Sequence, residues 1–164
     1  MKKIWFVSLC IFGFLACEKD DICVGGESVT PNIVIDLYDQ IEPENLKQAV
    51  KIAAVANGFT DTLFFEKTSK IELPLQINTN ATDWKLTLYE LSPTNDTIFK
   101  NDELQFTYTT EALYVSKACG YKTIFHEFNA LKSPNTTNDS WIKSMSKVTN
   151  EITTNNNAHI QLYY

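Results

Sequence analysis

The chain has 164 residues, 44% of them hydrophobic, and a formal net charge of −6. That length suits one domain with a packed core, and the hydrophobic content excludes a disordered chain. Every basic residue is Lys and none is Arg. An acidic chain without the forked guanidinium that grips phosphates and base edges is not expected to bind nucleic acid.

Met1-Lys2-Lys3 precedes an apolar run at residues 4–15, IWFVSLCIFGFL. The run is too short to stay in a bilayer as a spanning helix, but it has the length of the apolar region of a secretion signal. Ala16-Cys17 follows at once. A small residue before a Cys at this point resembles the lipobox cut by the lipoprotein signal peptidase, with Phe14 where Leu is usual. The expectation is a lipoprotein signal peptide at residues 1–16 and a lipid on Cys17, whose thiolate carries it as a thioether. Two or three acyl chains anchor a protein stably where one does not. The alternatives are an ordinary secretion signal with an incidental Cys17, and a single-pass anchor. Loss of Lys2 and Lys3 leaves a mature chain of about −8.

Residues 17–30 read as a lipidated, flexible tether, charged at first and then carrying Gly25-Gly26 without periodicity. Within it, Lys19, Asp20 and Asp21 resemble the surface-export signal of Bacteroidota lipoproteins. That favours the outward face of the outer membrane over the periplasmic one. A plain solvated tether is the alternative.

From residue 31 the pattern is one of strands. In 32–39, Ile33, Ile35 and Leu37 share one face, with Asn32, Asp36 and Tyr38 largely on the other. Residues 42–58 conflict: Glu42-Pro43-Glu44 and Asn57-Gly58 look like the ends of a helix, yet Val50, Ile52, Ala54 and Ala56 alternate. The surrounding strand pattern decides for a strand at 49–57. Short strands are expected at 62–66, 71–78 and 84–91, the last with Trp84, Leu86 and Leu88 on one face. A separate short run at 97–100 follows a turn at Asn95-Asp96. Alternation then continues through Leu104, Phe106 and Tyr108, through Leu113 and Val115, and through 121–131. There Phe125 falls on one face and Ile124, His126 and Phe128 on the other. SPNTTNDS at 133–140 is a polar loop, 141–152 is mixed, and 159–164 closes the chain as a strand. Eight to ten short strands predict an all-β fold, a two-sheet antiparallel sandwich, immunoglobulin-like or similar, over residues 31–164.

Of four cysteines, Cys10 leaves with the signal peptide and Cys17 takes the lipid. Cys23 and Cys119 remain, and a secreted chain with two spare cysteines most often pairs them. A buried free Cys119 and a reactive Cys23 are the alternatives. No CxxC occurs, so neither a zinc ribbon nor a thioredoxin-like role is expected.

The only histidines are His126 and His159, and HExxH, GxSxG and P-loop motifs are absent. His126 and Glu127 are strand neighbours, which point to opposite faces and cannot jointly hold a metal without a bulge. The acid pairs Asp20/Asp21 and Glu42/Glu44 lie in surface segments. No enzyme activity, cofactor or metal is expected. Trp84, Trp141, Tyr163 and Tyr164 are candidates for stacking on a glycan, against the blander reading of core packing. Asp61-Thr62-Leu63 and Asp96-Thr97-Ile98 resemble the O-glycosylation acceptor of Bacteroidota, which would make Thr62 and Thr97 modification sites.

The runs CEKDDIC, TPNIVIDLYD, IELPL, LYVSKACGYKTIF and AHIQLYY resemble an uncharacterised lipoprotein family of Bacteroidota, a domain of unknown function. The resemblance implies a Cys23–Cys119 bridge, a β-sandwich and a strand at 49–57. It implies no activity and no catalytic residue. The functional expectation is a membrane-anchored envelope lipoprotein, non-enzymatic, that binds or scaffolds another envelope component such as a protein. A glycan-binding accessory module at the cell surface is the alternative.

Overall fold

The computed structural model describes Cys23, residues 29–135 and residues 139–164. Among these residues nine strands form two sheets: β1 (Ile33–Tyr38), β2 (Ala49–Ala56), β3 (Thr62–Thr68), β4 (Lys70–Leu73), β5 (Ala81–Leu91), β6 (Thr97–Ser116), β7 (Gly120–Lys132), β8 (Ser144–Lys147) and β9 (Ile160–Tyr163). One sheet has the order β4-β1-β9-β8 and the other β3-β2-β5-β6-β7. The all-β sandwich expected from the alternation is therefore the fold. One pair departs from the antiparallel expectation: β1 and β9 run parallel, with Ile35 opposite Ile160 and Leu37 opposite Leu162.

Alternation places the core between the sheets. Ile33, Ile35 and Leu37 of β1, Ile71 and Leu73 of β4, and Ile160 and Leu162 of β9 face Ile52, Leu86, Leu88, Leu104 and Phe106 of the other sheet. The strand expected at 49–57 does form, as β2, and ends at Ala56. β2 pairs with β3 on one side and β5 on the other, and Ile52, Ala54 and Ala56 enter the core. Two ladders and a buried face outweigh the helix preference of its alanines.

Three local features differ from the sequence expectation. β4 ends at Leu73 rather than near residue 78, because Pro74 has no amide to continue the ladder. Residues 97–116, read as separate short runs, are one strand of 20 residues. The polar stretch inside it stays in register because its side chains find partners. Lys100 pairs with Glu90 at 2.6 Å, and Asn101 accepts from Thr87 Oγ1 at 2.7 Å. Finally, Phe125 and Phe128 were expected on opposite faces, yet both lie in the core. Glu127 between them has φ +52°, a bulge-like kink that adds a residue to the outer side and turns both rings inward.

Chain compactness divides the described residues into two units, Cys23 and Val29 with Leu113–Lys122, and Thr30–Ala112 with Thr123–Tyr164. In the first, Gly120 takes φ +71° at the turn from β6 to β7, a conformation that other residues resist.

Candidate functional site

Cys17, Lys19, Asp20 and Asp21 lie outside the described residues, as does the signal segment 1–16. Cys23 and Cys119 are joined by a disulfide, with Cα atoms 5.0 Å apart. Thr62 and Thr97 are the exposed first residues of β3 and β6, open to solvent as an acceptor hydroxyl must be.

The stacking role expected of Trp84 and Trp141 is corrected by burial: they are only 4% and 2% exposed. Both rings belong to the core. The Trp84 indole N–H donates to the Pro74 carbonyl at 3.2 Å, and that of Trp141 to the Leu86 carbonyl at 3.4 Å. Tyr164 is buried too, edge-on to Trp141 at 5.4 Å between centroids. None of these three rings has a free face for a sugar.

The titratable residues are held in local networks. His159 is buried, and its Nδ1 accepts from the Val34 amide at 2.9 Å. Burial lowers its pKa below the ordinary value, against a raising effect from a backbone hydrogen bond at Thr154 and from Glu72. His126 stands between two carboxylates, with Nε2 2.9 Å from Glu111 and Nδ1 3.4 Å from Glu151. Asp39 Oδ1 accepts from the amides of Ile41 and Glu42 at 2.7 and 3.2 Å, and its other oxygen meets Lys47 at 3.2 Å. Those backbone bonds, then Lys47, hold its carboxyl below the usual range. Glu42 accepts from the Asn45 side-chain amide at 2.6 Å, within this exposed loop.

Sequence reasoning did not single out the outer face of the five-stranded sheet. Register puts Lys51 of β2 opposite Glu66 of β3 and Tyr89 of β5, and Tyr89 opposite Phe99 of β6. The Lys51 ammonium lies 3.0 Å from Glu66, 4.4 Å from the Phe64 ring centre and 5.5 Å from that of Tyr89. Tyr89 and Phe99 meet edge to face at 4.9 Å. Phe64 and Phe99 remain 55% and 52% exposed. A band of rings around one ion pair thus crosses four strands. Aromatic residues in such a setting are the common anchors of protein–protein contacts. Tyr89 and Phe99 meet edge-on and the Lys51 ammonium lies over the Phe64 ring, whereas sugar stacking uses an open flat face. At the end of the sandwich, Ala56, Phe59, Leu63, Pro74, Leu75 and Trp84 line a shallow apolar cleft of about 310 Å³. Among the described residues, no group of three or more His, Cys, Asp or Glu could hold a metal ion.

Fold and site define a two-sheet, all-β domain with a disulfide at the β6–β7 turn. Residues 49–164, from β2 through β9, match the model of a family of unknown function, DUF6452, and the chain belongs to that family. No curated protein and no solved structure matches it.

Proposed function

We propose that the protein is a lipid-anchored lipoprotein of the cell envelope, non-enzymatic, whose sandwich binds or scaffolds another envelope component. The observation that carries this reading is the Cys23–Cys119 disulfide. Such bonds persist in oxidising compartments and are rare in reducing ones. The bridge begins six residues after Cys17, which follows a secretion-like apolar run and a small residue. Export and acylation at that Cys account for the oxidised pair and for the amino-terminal pattern together. The band formed by Phe64, Lys51, Tyr89 and Phe99 is the surface best suited to a protein partner. The Lys19-Asp20-Asp21 run supports an outward-facing location on the outer membrane.

Metabolic labelling with an alkyne-bearing palmitate tests the anchor. The wild-type chain should take the label and sediment with membranes, and Cys17→Ser should lose the label. A wild-type protein that stays unlabelled and soluble would overturn the reading. With the anchor established, Phe64→Ala and Phe99→Ala should weaken crosslinking to the partner protein without lowering the amount of folded protein.

A further inference from the structure

We infer that the turn end of the β6–β7 hairpin is a membrane-contacting foot, seated on the surface of the bilayer that holds the Cys17 lipid. The inference rests on the lipid anchor proposed above and goes beyond it, since an anchor alone says nothing about which part of the domain meets the lipid.

Covalent connectivity comes first. Six residue steps separate Cys17 from Cys23, a reach of at most about 20 Å even when fully extended. Cys23 is bonded to Cys119, which lies in the turn between β6 and β7. The bridge therefore ties this turn, rather than the start of β1, to the lipid. Without the bridge the shortest covalent path from Cys17 into the fold would run to Ile33, sixteen residues away, with a reach of about 50 Å.

The chemistry of the turn fits a lipid headgroup layer. Leu113, Tyr114 and Tyr121 are 39%, 55% and 68% exposed, and the two tyrosine rings pack edge to face at 5.3 Å. Tyrosine is favoured at the boundary between water and acyl chains, because its ring is apolar and its hydroxyl is polar. Residues 113–122, LYVSKACGYK, include Lys117 and Lys122 and no acid, in a chain that is acidic as a whole. Neither lysine forms an ion pair among the described residues. Two ammonium groups beside exposed rings match anionic headgroups.

The test uses the full lipidated chain, reconstituted in phosphatidylethanolamine–phosphatidylglycerol vesicles that carry brominated acyl chains. Wild-type tryptophan emission from the domain comes from Trp84 and Trp141, both buried. Tyr121→Trp adds a reporter at the turn. The inference predicts bromine quenching of Tyr121→Trp in excess of wild type, reduced when Lys117→Glu is added. It also predicts loss of the excess in the Cys23→Ser, Cys119→Ser double variant, provided that variant folds. An intact mass on the same sample separates the two proposals. Absence of acyl chains on Cys17 overturns both. Acyl chains with no excess quenching overturn the membrane-contacting turn alone and leave the lipoprotein reading standing.

Discussion

Asp102 and Lys132 form an ion pair at 3.1 Å, with the Asp102 side chain fully buried and that of Lys132 only 26% exposed. Asp102 is a polar residue on the inner face of β6, and its other oxygen accepts from the amides of Trp141 and Ile142, each at 2.8 Å. Lys132 in turn donates to the Ile142 carbonyl and the Ser140 hydroxyl, both at 2.6 Å. This small network fixes the segment that delivers Trp141 to the core.

Removing the carboxylate leaves two buried amides without an acceptor and a largely buried ammonium without its counter-charge. Asp102→Ala should therefore cost about 3 kcal/mol or more. Asp102→Asn keeps an acceptor for the amides and should cost less. Denaturant unfolding of the two variants checks the order. Equal losses would mean that the charge, not the hydrogen bonding, dominates.

Acid should weaken the fold through His159. Its folded pKa lies below the ordinary 6.5 because burial disfavours the imidazolium. The unfolded chain takes up the proton first, so this contribution is complete above about pH 6.5 and declines as pH falls below it. At lower pH Asp39 acts in the same direction. Its carboxyl is held below 3.8, and that stabilisation, present above 3.8, is lost as the group is protonated. His159→Asn retains an acceptor for the Val34 amide without the titration. Its unfolding free energy should be flatter than wild type between about pH 5 and 7. Parallel profiles would contradict the assignment.

Alkali should act through Tyr164, whose phenol is pushed up to about 12, first by burial and then by Glu90 and Asp39. The unfolded chain ionises near 10 while the folded one does not, so stability holds below pH 10 and falls as pH rises above it. Tyr164→Phe should lose part of that alkaline sensitivity, read as the difference in melting temperature between wild type and variant across the range.

Some of this was legible in the sequence and some was not, for physical reasons. Ile33, Ile35 and Leu37 betray a strand because a half-buried strand has a period of two and nothing else in the chain competes with it. Residues 49–57 carry two periods at once, and only the ladders with β3 and β5 decide between them. The length of β6 was hidden by Asn101, Asp102 and Glu103, polar residues between the short run at 97–100 and the alternation that starts at Leu104. Asn101 and Asp102 are satisfied by residues from other parts of the chain, Thr87 and Lys132. Trp84 and Trp141 drew attention by size, but burial is decided by the opposite sheet. The exposed ring band escaped notice because Phe64, Tyr89 and Phe99 become neighbours only through strand register.

Reduction should destabilise the protein. The bridge spans a sequence separation of 96 residues. In the chain-entropy model a loop of that size is worth about 4–5 kcal/mol, drawn from the unfolded state. A drop in melting temperature with reductant, absent in the Cys23→Ser, Cys119→Ser double variant, is the expected outcome. An unchanged wild-type melting temperature would show that the bridge leaves stability unaffected.

The most direct test of the account is the intact mass of protein extracted from membranes and alkylated without reductant. A lipid-anchored, oxidised protein gives a chain that begins at Cys17, heavier by two or three acyl groups, with no alkyl added until reductant frees Cys23 and Cys119. A chain that retains residues 1–16, lacks acyl groups or alkylates at once on both cysteines would contradict it.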